Sequence, residues 1–319
     1  MGQRTEFYPE SDDAFVSIDE EHLLPEDVDG VFPSRFGRKT FMFRHGLADH
    51  PLFELSSIVR LAERLEKHDA VFWSNGAVGV SDRWEAGTEG RQPLMATLEN
   101  IANNNSLVMV RSVVHDQTFG PLMRATLERI LDLIGPAIQD DVIGARATLL
   151  VASPHRMTAY HIDADLNFLM QIAGKKRFRV HDHTDSTLIT TEELERYFSG
   201  DANGALYQED RLGKASLFTL DAGDGVHVPS LSPHWAENGD DVSIAVSFNY
   251  DLHSVDRTGR IHKVNRRLRS LGLHPRPPGA NRTVDRAKLA LYGAYALGDG
   301  LLHPGAHTAD ETLWQPRHR

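Results

Sequence analysis

The sequence predicts a mainly β fold flanked by helices, and three observations carry that expectation. Between residues 145 and 251, seven short β-rich runs alternate with turns, several of them Gly-Asp, as in a sandwich or barrel. Apolar residues recur at helical spacing on both sides of this block. The 319 residues, 40% hydrophobic and 25% charged, are enough to bury a substantial core.

In chain order, the first 50 residues are short segments punctuated by Pro and Gly, with FGRKTFMFRH (36–45) reading as a strand. Residues 52–66 place Leu52, Leu55, Ile58, Val59 and Leu65 at helical spacing. Residues 120–138 form a clearer amphipathic helix, with Leu122, Met123, Leu127, Ile130, Leu131 and Ile134 on one side and a stop at Gly135-Pro136. The strands then read ATLLVA (147–152), TAYHI (158–162), FLMQIA (168–173), RFRVH (177–181), SLFTL (216–220), GVHVP (225–229) and VSIAVSFNY (242–250). A helical insertion, TTEELERYF (190–198), interrupts them, and Thr190 and Glu193 have capping-box spacing. Beyond Asp251, IHKVNRRLRSLGL (261–273) and VDRAKLALYGAYAL (284–297) read as helices around a Pro/Gly-rich loop. The expected organisation is residues 1–144 as α/β elements packed on the β block, 145–251 as the block, and 252–319 as helices that pack on it or pair two copies.

Composition excludes several chemistries. There is no cysteine, hence no disulfide framework, thiolate metal site or cysteine nucleophile, and any transition metal must sit on His and carboxylates. A net charge of −11 argues against nucleic acid as the partner, because phosphate binding wants a basic surface. The balance is uneven: residues 257–288 hold ten Lys and Arg, read first as a solvated helix face and second as a surface for an anionic partner. No apolar run approaches a bilayer span. The start, MGQRTEFYPESDD, is unlike a signal peptide, and Glu6 stands where a myristoylation signal after Gly2 wants Ser or Thr, so a cytoplasmic location is expected.

The chemistry concentrates around TAYHIDADLNF. Strand alternation puts His161 and Asp163 on one face, where both reach one ion, and His234 lies in VPSLSPHWAENG before the last long strand. Two histidines and a carboxylate make a facial triad that leaves three adjacent coordination positions open. Those serve a chelating keto acid and dioxygen on iron(II). Lys176, after FLMQIAGK, could pair with the distal carboxylate of the keto acid, although alone it reads as a surface lysine at a turn. His155, His181, His183 and His227 read as loop or packing residues, and His115-Asp116 as structural.

Taken together these segments resemble the JmjC, or cupin-like, 2-oxoglutarate oxygenases, and among them the asparaginyl hydroxylases. The matching residues are Thr158, His161 and Asp163 in TAYHID, Asn167 with Phe168, Gln171 to Lys176 in QIAGKK, Gly223 to Pro229 in GDGVHVP, His234, and Asn249 in FNY. The resemblance covers roughly residues 147–251. It implies a double-stranded β-helix (jelly-roll, cupin) core with helical N-terminal elements and C-terminal helices. It implies Fe(II) on His161, Asp163 and His234, with 2-oxoglutarate and O2 as co-substrates. Thr158 and Lys176 would hold the C5 carboxylate, Asn167 and Asn249 would line the co-substrate pocket, and Phe168 and Trp235 would be pocket walls. Ser230-Leu231-Ser232-Pro233 departs from the aromatics usual before the distal His, which leaves the substrate side unassigned.

The expected activity is hydroxylation of an amino-acid side chain in a protein, peptide or small metabolite, with succinate and CO2 as co-products, or demethylation if the hydroxylated carbon lies on nitrogen. The C-terminal helices are expected to pair two copies. Two other readings stay open: a cupin-type metalloenzyme without a keto acid, for which HxH and a nearby Glu would be usual, and a non-catalytic binding module.

Overall fold

The computed structural model describes residues 23–24 and 30–302. The readings placed on MGQRTEFYPESDD and on residues beyond 302 lie outside the described residues. Among the described residues, eleven strands form the β part: β1 (Phe41–Arg44), β2 (Val71–Ser74), β3 (Leu107–Val110), β4 (Val142–Ala152), β5 (Met157–His161), β6 (Leu166–Ala173), β7 (Lys176–Val180), β8 (Ser216–Leu220), β9 (Asp224–Val228), β10 (His234–Asn238) and β11 (Ser243–Leu252). They make a seven-stranded sheet, ordered β1-β9-β6-β11-β4-β3-β2, facing a four-stranded sheet, β5-β10-β7-β8. Neighbouring strands pair antiparallel throughout.

Alternation divides the larger sheet into two faces. Its outer face carries Phe41, Phe43, Phe168, Phe248 and Tyr250 into the main core, under α1 (Val31–Arg35), α2 (Leu55–Glu66), α3 (Leu94–Glu99) and α4 (Gly120–Ile134). Its inner face sends Leu169, Val226 and Ala245 against Phe178, Leu220 and Ala236 of the smaller sheet. A flat sheet buries both faces only if something covers each. Helices cover one here and the second sheet the other.

The helices follow their sequence signals. All six apolar residues of the α4 stripe are buried, and Gly135, at φ 81, ends the helix before the short α5 (Pro136–Gln139). Before α6 (Thr191–Phe198), Thr190 and Glu193 form the expected reciprocal capping box. The expected first strand shrinks to β1, because α1 and the turn after it take up the preceding residues. α7 (His253–Ser270) starts well before the expected residue 261. HSVDRTGR has few apolar side chains; its first turn is held instead by Asp141, which accepts from the His253 N–H at 2.8 Å and the Ser254 N–H at 3.0 Å. α8 (Arg282–Leu302) completes the described chain. Of the basic residues between 257 and 288, Arg269 pairs with Glu192 and Glu195, and Lys288 donates to the Arg276 carbonyl; most of the others are exposed.

Candidate metal centre and adjoining cavity

His161 closes β5, His234 opens β10, and the two are register partners across that strand pair. Asp163 follows in the link between β5 and β6. That link is pinned from both sides: the Ala164 N–H donates to the Tyr197 hydroxyl at 2.9 Å, and the Asp163 carbonyl accepts from the Leu231 N–H at 2.7 Å. Asp163 Oδ2 lies 3.6 Å from Nε2 of each histidine. One ligand atom from each residue falls within 4.8 Å of the others. The remote ring nitrogens are occupied, His161 Nδ1 at 2.8 Å from the Ala159 carbonyl and His234 Nδ1 at 2.9 Å from that of Ser232. An Nδ1–H held by a carbonyl leaves the Nε2 lone pair facing the shared point, the orientation that a metal requires. Burial, with the neighbouring His161, lowers the His234 imidazole to about 4, so it is neutral and free to ligate at pH 7.

From this point a cavity of about 410 Å³ runs between the sheets. Strand register sorts its wall into rows. At the closed end, Leu107 and Ser243 flank Ala152, and in the next row Met109 faces Leu150. Further out, Thr148 and Leu169 flank Ser247, and then Arg146 and Asn167 flank Asn249 beside the triad. The deep rows are largely apolar and the row beside the triad is polar. On the smaller sheet, Thr158 and Phe178 flank Ala236, and Lys176 pairs in register with Asn238 at the closed end. Four residue steps along β10, about 13 Å of strand, lead from His234 to Asn238. The Lys176 ammonium is buried and donates to Asn238 Oδ1 at 2.6 Å. Burial pulls it down to about 8, still mostly protonated at pH 7.

The polar row is a continuous hydrogen-bonded chain. Asn167 donates to Ser247, Ser247 to Asn249 at 2.8 Å, and Asn249 to Asp165 at 3.0 Å. Asp165 in turn accepts from Arg146, whose Nη1 also donates to Asp251 at 2.9 Å. Burial and the adjacent Asp163 carboxylate push Asp165 up to about 7, against the pull of Arg146. Burial works against the Arg146 charge, but Asp165 and Asp251 outweigh it and hold the guanidinium above its usual range. Asn167 Oδ1 stays buried without a partner.

Thr158, His161, Asp163, Asn167, Lys176, His234 and Asn249 thus line one cavity. Two expected walls do not. Phe168 alternates with Asn167, so it faces the outer core, stacked on Phe32 and Phe36. Trp235 alternates with His234 and packs with Tyr160 and Tyr207 outside the cavity. His227 is fully buried beside Phe168, with Nε2 accepting from the Gly37 N–H at 3.0 Å. His155 is exposed and 3.5 Å from Asp240. Asp116 pairs with Arg64 and caps the approach to α4 through the Thr118 and Phe119 N–H groups. Sequence reasoning missed Arg146, Asp165, Asn238, Arg111 and Trp84. Only Asp165 left a signal, two residues after Asp163 on the same alternation.

A family profile described as a cupin-like domain matches residues 66–256, more than half of the chain. The chain belongs to this cupin-like family. Among solved structures, the cupin-like chain is similar to Escherichia coli YcfD at 14% identity and a TM-score of 0.50, over 86% of this chain and 68% of that one. Another structure of that protein, described as a ribosomal oxygenase in complex with cobalt and 2-oxoglutarate, gives 15% identity and a TM-score of 0.49 over 87% and 68%. At such identities the likeness is one of fold. No curated protein matches the cupin-like chain.

Proposed function

We propose that this protein is an Fe(II)- and 2-oxoglutarate-dependent oxygenase that hydroxylates an amino-acid side chain in a protein, peptide or small metabolite. One observation carries the reading: a His-Asp-His triad at one end of a cavity whose far end holds a buried lysine ammonium, bonded to Asn238 and with no carboxylate partner among the described residues. His161, Asp163 and His234 would hold the iron. A carboxylate among the donors, with no thiolate, suits iron(II) and leaves adjacent positions open. Lys176 would neutralise the C5 carboxylate of 2-oxoglutarate, with Thr158 lining the same cavity from across β10, and the apolar rows of Met109, Leu150 and Leu169 fit its methylenes. The unpartnered Asn167 amide oxygen marks where a polar group of a bound molecule, or its water, would be satisfied.

Bound iron and 2-oxoglutarate supply oxidative decarboxylation coupled to attack on a substrate C–H bond, with succinate and CO2 as co-products. The chain's own part is to fix the ligands, hold the co-substrate by charge at its far end, and keep water from the deep rows. A cupin metalloenzyme without a keto acid would have no use for a buried Lys176. No helix among the described residues is long and apolar enough to cross a membrane; a cytoplasmic location accords with this reading. A homodimer through the C-terminal helices is supported by the exposed Leu271 and Leu273 just after α7 and Val284 and Leu291 on α8.

Anaerobic calorimetry of 2-oxoglutarate into the Mn(II)-loaded protein tests the proposal. Micromolar binding is expected, weakened about 10- to 100-fold by Lys176→Ala through loss of a charged hydrogen bond. A folded, metal-loaded wild type that does not bind 2-oxoglutarate would move the reading to the plain metalloenzyme.

A further inference from the structure

At its outer end the cavity carries a cation without a counter-charge. The alternation that turns Leu107 and Met109 of β3 inward brings Arg111 to the same wall, one step past the strand. The Arg111 N–H donates to the Ala70 carbonyl at 2.7 Å, which fixes its main chain. Ser112 then turns the chain out of the sheet at φ 58, a left-handed conformation uncommon for a residue with a side chain, so the row ends at Arg111. The Arg111 side chain is exposed, and no carboxylate pairs with it among the described residues. Arg146, the other guanidinium at this end, is saturated by Asp165 and Asp251.

An aromatic path joins Arg111 to the triad. Its guanidinium carbon lies 5.8 Å from the Phe72 ring centre, Phe72 stacks on Trp84 at 6.3 Å, and Trp84 tilts against His161 at 5.0 Å. We propose that Arg111 determines specificity by pairing with a carboxylate on the substrate, while Trp84 and Phe72 carry the part of the substrate that leads to the C–H bond being oxidised. The proposal rests on the oxygenase reading. A planar guanidinium matches a carboxylate in two-point hydrogen bonding. The chain as a whole is at −11, so it repels acids in general and would accept one where a cation stands free. The carboxylate has two sources, the α-carboxylate of a free amino acid and an Asp or Glu side chain in a peptide.

The probes are the free L-amino acids with their amides, and end-capped pentapeptides containing Asp or Glu with matched Asn or Gln versions. Binding is read by anaerobic calorimetry on protein loaded with Mn(II) and 2-oxoglutarate, and turnover by succinate formation with iron. A carboxylate probe is expected to bind and turn over at least about tenfold better than its amide, the worth of one charged hydrogen bond. The arm that responds names the source. Arg111→Glu is expected to raise KM for that probe at least about tenfold, more than it lowers kcat, and Arg111→Lys to restore part of the loss. Equal response to acid and amide, no response to any carboxylate probe, or an unchanged KM in Arg111→Glu overturns the proposal. A wild type that fails to bind 2-oxoglutarate at all instead removes the oxygenase reading, and this proposal with it.

Discussion

Lys176 is costly to the empty fold. Burial lowers its ammonium from 10.5 to about 8. Each tenfold change in proton affinity is about 1.4 kcal/mol, so carrying the charge in the folded state costs about 3 kcal/mol at pH 7. Lys176→Met removes that penalty at similar volume but leaves Asn238 Oδ1 without its donor, which costs about 1–2 kcal/mol. The variant is therefore expected to be about 1–2 kcal/mol more stable than the wild type without metal or co-substrate, while losing 2-oxoglutarate binding. The folded pKa lies below the unfolded one, so the unfolded chain holds the proton more tightly between about pH 8 and 10.5. Wild-type stability should rise relative to the variant across that window, and the gap between them should narrow. Urea unfolding of both proteins at pH 7.5, 9 and 10 measures this directly. A variant destabilised by more than 2 kcal/mol, or a gap that does not change with pH, would refute the reasoning and make Lys176 a structural strut.

Other outcomes follow from the same geometry. Asp163→Ala should keep the native far-UV dichroism while Mn(II) affinity falls at least about 100-fold, more than the loss of an outer partner costs; unchanged affinity would remove the triad as the ion site. Burial pushes His227 down to about 3, so it stays neutral in the fold while the unfolded chain protonates near 6.5. Stability is thus kept above pH 6.5 and lost as pH falls, by about 2 kcal/mol at pH 5 from this residue alone. His227→Leu should flatten the acid limb of a urea stability–pH curve by that amount, and a parallel curve would show that His227 is not the source. Phe168→Ala should cost about 3–5 kcal/mol as a large buried deletion and leave 2-oxoglutarate affinity in place; lost affinity at unchanged stability would return Phe168 to the cavity wall.

Much of the candidate site was legible because it is local. TAYHID puts two donors and Thr158 on six consecutive residues at one strand end, and Lys176 follows after one more strand. The β8 limits and the α4 stop were legible for the same reason, since a turn or a Gly-Pro pair acts on its immediate neighbours. β2 and β3 were not, because four residues are too few to show a period, and their partners fix them as strands. HWAEN, too polar to signal a strand, becomes β10 only because β5 and β7 pair with it on both sides.

The sequence by itself determined a mainly β chain with helical flanks, a chemistry without thiolates, and the short-range donors His161, Asp163 and Thr158. Only the tertiary structure decided that Arg146 stands beside Asn249, that Lys176 is buried against Asn238, and that Phe168 and Trp235 turn away from the cavity. The reason is register. Moving a strand by one residue exchanges its faces, and register is set by pairing between segments far apart in the chain, as between Arg146 and Asn249 or Phe41 and His227.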